Sequence, residues 1–406
     1  MSRWHETSYA RLLIDNHITE DDPSLMRRFD PAEYVRRVRQ AGVDAAMVYA
    51  CCHNGNCYYP TRVGHMHAHL DGRDIFGEVV DGLNRAGIVP IAYYTAIYHN
   101  RSAKEHPAWR LVNPRGQQRN RRYWFSCPNN DEYRSFVKRQ LAEVVAYPVR
   151  GVFIDMTFWP DICLCASCRE KYRDRCGGEI PETVDWRDPR WVGFQRFREE
   201  SLAEYAEDLT AAARAANPEI AVTHQSSPFI TGWRYGQRGV HRACDYLSGD
   251  FYGGRLEHVF GVRALAGGSR GAPVEFMTSR CYHLRDHTSS KAEERMRAEA
   301  ATTLAAGGAC FFIDAINPDG TLEPRVYETF GRINAALAPF TAALRRLRPA
   351  LWADTAIFFS LASQFHDPDN GASIREHCGV ELGPPPVLQQ YLGAAVRVRR
   401  RNAREW

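Results

Sequence analysis

One carboxylate in this sequence stands where it could act as a nucleophile or as an acid. Asp155 ends an apolar run in which Gly151 and Phe153 share its face of an extended strand, and Trp159 follows shortly after. A carboxyl group beside apolar and aromatic surface has a raised pKa, and glycoside hydrolysis needs two carboxyl groups. This setting predicts Asp155 as a nucleophile or an acid in such a reaction; a helix cap or an ion pair is the structural alternative.

The cysteines form the sharpest motif in the chain. Cys163, Cys165 and Cys168 are spaced as Cys-x-Cys-x₂-Cys, directly after the Asp155 strand. Four thiolates in tetrahedral geometry form a closed structural zinc site, so a fourth ligand is required. Cys127 precedes the helix before that strand and is predicted to lie at the same end of the fold, while Cys176 is the rival. The sequence therefore predicts structural Zn²⁺ as the only cofactor, with no organic group.

A loop with alternate histidines could also bind metal. His65, His67 and His69 lie in a glycine-containing stretch, and imidazole is a common metal ligand. No carboxylate partner is evident near them. Lining of a ligand site and plain solvent exposure are the other interpretations of this loop.

The elements that position these residues follow from eight apolar runs separated by helical segments. Near-continuous apolar runs are typical of buried parallel strands, and eight strand–helix units form a TIM barrel. The predicted strands are residues 12–17, 43–50, 88–95, 151–157, 220–227, 246–252, 273–279 and 309–316. The predicted helices are residues 30–40, 74–85, 130–147, 189–216, 291–306 and 323–347. The connectors on either side of the sixth strand are less regular.

Composition excludes several classes of function. The chain has 406 residues and a formal net charge of +4, too balanced to indicate binding to nucleic acid or membrane. No apolar stretch reaches the roughly 18 residues needed to span a bilayer, and residues 1–12 lack the apolar core of a secretion signal. These features, with 12 cysteines expected to be reduced, predict a cytoplasmic protein.

In a TIM barrel, functional groups lie at the carboxyl ends of the strands. For the second carboxylate, Glu275 ranks first because strand 7 is roughly opposite strand 4, and Asp250 at the end of strand 6 ranks second. Glu275 lies two to four residues short of its strand end, so a buried pairing with an arginine is the structural alternative. The predicted substrate-binding residues are polar or aromatic residues at or after the strand ends: His17, His53, Tyr94, Trp159, His224, Tyr252, Arg280 and Asp314.

The strand 4 motif resembles a known family. Residues 155–160, Asp-Met-Thr-Phe-Trp-Pro, with the cysteine motif after them, are similar to the barrel domain named hypothetical glycosyl hydrolase 6. Residues 53–61, 275–280 and 312–320 resemble the same group, and the resemblance covers about residues 10–345. That domain occurs in glycoside hydrolase family 151, so the resemblance implies a retaining α-L-fucosidase acting on glycosides or oligosaccharides. Other retaining α-L-fucosidases use an Asp nucleophile after strand 4. Asp155 would then attack and Glu275 would be the acid/base.

A more distant similarity is to the family 42 β-galactosidases, in which an upstream Cys-Pro-Asn and a Cys-x-Cys-x₂-Cys bind zinc. It implies that the same four ligands here are Cys127, Cys163, Cys165 and Cys168. Family 42 has an acid/base Glu preceded by Asn where Asp155 and Met156 stand, so that chemistry does not carry over residue by residue. A β-galactosidase-like hydrolase and an inactive sugar-binding barrel are the alternatives.

The barrel domain is predicted to span residues 1–348. In the resembled group a trimerisation-like α/β domain follows, and residues 349–406 are interpreted as its truncated beginning with an arginine-rich tail. The resemblance implies homo-oligomers for full-length relatives, whereas the short segment here argues against one.

Overall fold

A computed structural model describes residues 3–120, 122–230, 233–282, 288–349 and 369–378. Eight parallel strands form one sheet in the order β5-β4-β3-β2-β1-β8-β7-β6. They are β1 (Ala10–Asp15), β2 (Ala45–Tyr49), β3 (Val89–Thr95), β4 (Gly151–Asp155), β5 (Ala221–His224), β6 (Ser248–Asp250), β7 (Val274–Ser279) and β8 (Gly308–Ala315). The predicted α/β barrel is confirmed.

The barrel closes between β5 and β6 through few contacts. Gln225 forms a single parallel bridge with Ser248, and the Ser226 N–H donates to the Ser248 carbonyl at 2.7 Å. Because β6 has only three residues, it pairs with β7 over three residues and with β5 only through this bridge. A separate ribbon of two short strands, Asn56–Cys57 and His65–Met66, lies in the β2–α3 connection.

Sheet register determines which side chains enter the barrel. Paired residues on neighbouring strands share a face, and successive residues alternate between faces. Asp155 pairs with Thr95, and Phe153 pairs with Tyr93. These four residues share the inner face, whereas Tyr94 points outward to the surrounding helices.

The helices lie around the sheet. They are α1 (Trp4–Thr7), α2 (Pro31–Gln40), α3 (Ile75–Arg85), α4 (Asn100–Glu105), α5 (Asp131–Val145), α6 (Ala166–Cys176), α7 (Pro189–Ala216), α8 (Arg255–Ala266), α9 (Glu293–Ala305) and α10 (Pro324–Leu347). None of the helices that the structure describes combines the length and apolar character needed to cross a bilayer.

Several helices start where the sequence predicts, because a capping side chain is present. The Asp30 carboxylate accepts from the Ala32 N–H and is followed by a proline, and the Asn130 side chain accepts from the Tyr133 N–H. Such bonds satisfy donors that the first helical turn leaves free. The β6–β7 connector differs from the prediction, since α8 is a regular helix. The β5–β6 connector is irregular as predicted, and its described part contains three short 3₁₀ turns.

Most of the predicted second segment, 349–406, lies outside the described residues. The described stretch 369–378 packs against the barrel: the Val184 N–H donates to the Ala372 carbonyl at 2.9 Å, and Ile374 belongs to a buried cluster with Val184 and Trp191. This contact attaches the segment to the loop before α7.

Candidate active site

Asp155 lies at the mouth of the barrel, at the carboxyl end of β4, and is 7% exposed. The Tyr93 hydroxyl donates to its Oδ2, and the Met156 N–H donates to its Oδ1 at 2.8 Å. Met156 has a φ of 58°, a left-handed conformation that costs a non-glycine residue about 1–3 kcal/mol. The strained turn brings the Met156 N–H onto the carboxylate and so fixes its orientation.

The environment of Asp155 places its titration near neutral pH. Burial raises the pKa of Asp155 to about 7, and the charges of Asp250 and Asp15 contribute to the increase. The hydrogen bond from Tyr93 acts in the opposite direction. His53 offers no compensating charge, because burial lowers its pKa well below the usual value. A carboxyl group that titrates near neutrality is typical of a catalytic position.

His53 presents a lone pair to this carboxyl group. Its Nδ1 is 2.8 Å from the Thr95 hydroxyl, which itself donates to the Tyr98 carbonyl. Thr95 therefore accepts at that contact, and Nδ1 of His53 carries the proton. His53 Nε2 is then an acceptor, 3.6 Å from Oδ2 of Asp155. It can accept a hydrogen bond from a hydroxyl group in the mouth.

Asp250 is the second carboxylate of the mouth. Gln225 connects it to the Asp155 turn: its side-chain oxygen is 3.2 Å from the Met156 N–H, and its amide donates to Oδ1 of Asp250 at 2.6 Å. The Ser227 hydroxyl also donates to Oδ1 at 2.9 Å. The Tyr252 hydroxyl donates to Oδ2 at 2.6 Å, so three donors converge on one carboxylate.

A second Tyr–Asp–His group stands beside the first. The Tyr49 hydroxyl donates to Oδ1 of Asp15 and lies 3.1 Å from Nε2 of His17. The His17 ring stacks on His53 with centroids 4.0 Å apart, and Tyr49 stacks on Tyr93 at 3.8 Å. The stacked rings of the two groups form one wall of the mouth. Tyr93 on this wall holds Asp155, and Tyr49 holds Asp15.

Glu275, which ranks first from the sequence as the second carboxylate, is not in the mouth. It is fully buried, and its Oε2 lies 2.5 Å from Nη1 of Arg11 on β1. The Ser248 hydroxyl donates to its other oxygen. Glu275 is the second residue of β7, so it enters the barrel well below the strand ends. Its role as a partner of Arg11 corrects the prediction that it faces a substrate.

Two predicted substrate-binding residues face away from the mouth. Tyr94 is fully buried on the outer face of β3 and donates to the side chain of Gln140 on α5 at 2.7 Å. His224 ends β5 and lies between the hydroxyls of Thr157, 3.0 Å away, and Thr210 on α7, 2.9 Å away. Both side chains join strands to helices, which corrects their predicted contact with substrate.

Three more of the predicted substrate-binding residues make contacts within the protein instead. Asp314 is buried, bonded to Arg280 at 2.5 Å and to the Tyr327 hydroxyl at 2.7 Å. Arg280 also donates to the 289–290 segment. Trp159 is 1% exposed, and its indole N–H donates to the Arg198 carbonyl at 2.9 Å. It therefore offers no face to a sugar ring.

The structure brings together His17, His53, Asp155, Asp250 and Tyr252 from the predicted set. It adds Asp15, Tyr49, Tyr93 and Gln225 to the set. Side chains alternate between the two faces of a strand, so Tyr93 and not Tyr94 shares the inner face with Asp155. This choice requires the register between β3 and β4, which the sequence does not give.

The four predicted cysteine ligands form one buried cluster. The sulfurs of Cys127, Cys163, Cys165 and Cys168 all lie within 4.8 Å of one another, and those of Cys127 and Cys168 are 3.4 Å apart. Neighbouring thiols lower the pKa of Cys165, whereas burial raises the pKa of Cys127. Cys176 is exposed and outside the cluster, so Cys127 is the residue that lies with the Cys-x-Cys-x₂-Cys motif. The cluster could hold a metal ion.

The alternate histidines do not form a comparable group. His65 bonds to Glu20 at 2.9 Å, His67 to the Thr19 carbonyl at 3.0 Å and His69 to the Leu25 carbonyl. Within the described ranges, the only cluster with metal-ligand spacing is that of the cysteines. The histidines join two loops instead.

Known proteins support the fold. Residues 30–156 match the family described as Hypothetical glycosyl hydrolase 6. No curated protein has a matching sequence. Alpha-L-fucosidase isoenzyme 2 from Paenibacillus thiaminolyticus is 21% identical with a TM-score of 0.70, over 82% of this chain and 50% of that chain.

Two β-galactosidases share the same architecture. The enzyme from Bacillus circulans sp. alkalophilus is 17% identical with a TM-score of 0.58, over 76% of this chain and 53% of that chain. The cold-adapted enzyme from Rahnella sp. R3 is 14% identical with a TM-score of 0.61, over 82% and 57% of the two chains. This chain thus spans about half the length of these proteins. The chain carries a barrel of the kind found in glycoside hydrolases, and its resemblance to hypothetical glycosyl hydrolase 6 is confirmed over residues 30–156.

Proposed function

We propose that this protein is a retaining glycoside hydrolase that acts on α-L-fucosides. The observation that carries the proposal is the position of Asp155, held by two hydrogen bonds at the mouth of the barrel with Asp250 beside it. The family match over residues 30–156 and the shared fold of an α-L-fucosidase support the substrate class. Sequence identity is low, so the sugar is the part of the proposal that needs a direct test.

In this proposal Asp155 is the nucleophile. Tyr93 and the Met156 N–H orient its two oxygens, and attack on the anomeric carbon forms a covalent glycosyl-enzyme. Three hydrogen bonds fix the orientation of the Asp250 side chain. As a carboxylate it would stabilise the oxocarbenium-like transition state. His17 and His53 would bind sugar hydroxyls at the same wall.

A panel of nitrophenyl glycosides tests the activity and the sugar. We expect turnover of nitrophenyl α-L-fucoside to exceed that of the β-D-galactoside, and the first sugar product to keep the anomeric configuration of the substrate. Proton NMR of early hydrolysis measures that configuration. Turnover of the galactoside alone would redirect the proposal to a β-galactosidase, and binding without turnover would indicate a sugar-binding barrel.

The pKa of Asp155 predicts how activity depends on pH. A nucleophile must be ionised, and the pKa of Asp155 is about 7. We therefore expect the ascending limb of kcat/KM to lie near pH 7, with values at pH 5 about 100-fold below the maximum. Measurement of kcat/KM between pH 4.5 and 9 on the fucoside checks this.

The opposite assignment, with Asp155 as the acid, is favoured by the same raised pKa of Asp155, since an acid must hold its proton. That assignment predicts kcat/KM to fall as pH rises through about 7. If kcat/KM of the wild type falls through about pH 7 and this fall is absent from an Asp155→Asn variant, Asp155 is the acid and not the nucleophile.

We also propose that the cysteine cluster binds structural zinc. Tetrahedral Zn²⁺ with Zn–S bonds of about 2.3 Å separates its sulfurs by roughly 3.8 Å, and Cys163 and Cys127 are 3.8 Å apart in this cluster. The four thiolates fill the coordination sphere, so the ion would fix the loop after β4 and take no part in the reaction.

Removing one zinc ligand should release the metal and weaken the fold. For Cys168→Ser we expect the zinc content to fall from about one ion per chain to near zero, with a lower Tm. Atomic absorption and differential scanning calorimetry measure the two effects. The exposed Cys176→Ser is the matched control and should keep its zinc. Full zinc occupancy in Cys168→Ser would contradict the site.

We also propose a cytoplasmic location, in which the cysteine cluster would stay reduced, because disulfides are rare in that compartment.

A further inference from the structure

A retaining reaction needs a group that donates and then removes a proton, and each of the three carboxylates of the mouth already has another role or set of contacts. Asp155 is committed to attack in the proposed function. Asp250 accepts three hydrogen bonds from side chains, and Asp15 is held by the Tyr49 hydroxyl beside His17. A carboxyl group without side-chain donors near the same end of the barrel is the better candidate.

Glu257 lies in the first turn of α8, which follows β6 and therefore begins at the mouth. It is half-buried. Its buried Oε2 has no side-chain hydrogen-bond partner among the residues that the structure describes, and the backbone N–H of Gly253 interacts with its carboxyl group. A buried carboxyl group with so few donors is costly when charged. A proton on that carboxyl removes the cost, and this is the starting state that a general acid requires.

The charged groups that act on Glu257 are Asp250, at the end of β6 in the site described above, and Lys291 after β7. Burial raises the pKa of Glu257 and the charge of Asp250 adds to it, against the Gly253 N–H and the charge of Lys291. Gly253 leaves the space that this carboxyl occupies, because a Cβ at position 253 would collide with Oε2.

We propose that Glu257 is the acid/base of this site, which rests on the glycosidase function proposed above. In the first step the Glu257 carboxyl gives its proton to the glycosidic oxygen as the bond from that oxygen to the anomeric carbon breaks. Asp155 forms a bond to the same carbon, and the alcohol leaves. In the second step the Glu257 carboxylate removes a proton from water as the water oxygen attacks that carbon. The bond to Asp155 breaks, and both carboxyl groups return to their starting states.

The dependence on the leaving group separates this role from a helix cap. Fluoride leaves with little help from an acid, whereas an alkyl alcohol needs the proton. For Glu257→Gln we expect kcat/KM to fall by about 10²–10⁴-fold on methyl α-L-fucoside and by less than about tenfold on α-L-fucosyl fluoride. An equal loss on the two substrates, or no loss on either, would overturn the assignment.

Azide provides a second readout. In Glu257→Ala the glycosyl-enzyme lacks the base that activates water, and azide needs no base. We expect azide to accelerate turnover of the fluoride and to give a fucosyl azide with the configuration of the substrate. An azide product of opposite configuration would place the defect in the nucleophile and would also overturn the assignment.

Two further variants control for folding. Glu294→Gln changes an exposed glutamate in the first turn of α9 and should leave both rates unchanged. Gly253→Ala keeps the glutamate but displaces its carboxyl, so we expect the same leaving-group dependence in milder form; an unchanged rate on the methyl glycoside would count against the role. A wild-type protein that turns over neither substrate would refute the proposed function and, with it, this role.

Discussion

Replacing Asp155 with Asn should lower kcat on nitrophenyl α-L-fucoside by at least about 10³-fold, equivalent to about 4 kcal/mol of barrier. The amide keeps the shape of the side chain and can accept one hydrogen bond from Tyr93 or the Met156 N–H, but it cannot form the covalent intermediate. Steady-state kinetics of both proteins at pH 8, where the wild-type carboxyl is ionised, gives the ratio.

The fold should survive this change, and its stability provides an independent check. The pKa of Asp155 is raised from its unfolded value of 3.8 to about 7, so the folded form binds the extra proton. Wild-type stability should therefore fall as pH rises from about 4 to 7, and Asp155→Asn should lose that dependence. Thermal unfolding at pH 5 and pH 8 measures it.

The azide product then identifies the nucleophile. In Asp155→Gly the missing carboxylate leaves room for azide, which we expect to restore cleavage and to give a product of inverted configuration. If Asp155→Asn retains more than about a tenth of the wild-type rate, a loss under about 1.4 kcal/mol, Asp155 is not the nucleophile.

Replacing Glu275 with Gln should destabilise the protein by about 3–5 kcal/mol, because it leaves a buried guanidinium without its counter-charge. Arg11 and Glu275 are both fully buried and in direct contact. The other contacts of Arg11 are uncharged: the carbonyl of His5, the carbonyl and hydroxyl of Ser8, and the rings of Trp4 and Tyr246. Urea unfolding of the wild type and the variant measures the loss.

A double variant tests whether the loss belongs to the ion pair. Arg11→Met with Glu275→Leu removes both charges, and we expect it to recover part of the stability lost in Glu275→Gln. If Glu275→Gln instead unfolds at the wild-type urea concentration and loses more than about 10³-fold in kcat, Glu275 belongs to the reaction after all.

The elements of the barrel could be predicted from the sequence because their signals are local. Apolar runs mark strands buried on both faces, and Asp30 and Asn130 mark helix starts by satisfying free N–H groups within three residues. Cys127 could be placed with Cys163, Cys165 and Cys168 because the order of strands and helices brings their loops to one end. Each of these inferences needs only spacing along the chain.

The sequence by itself determined the eight-stranded barrel, the position of Asp155 at a strand end and the cysteine cluster. Only the tertiary structure decided which of two adjacent residues enters the barrel. Near-continuous apolar runs hide the alternation of faces, so Tyr93 and Tyr94 read alike until the pairing with β4 is known. Height in the barrel depends on more than the position along a strand. Glu275 lies opposite Arg11 rather than in the mouth because the stagger between strands, a property of the closed sheet, sets how high each side chain stands.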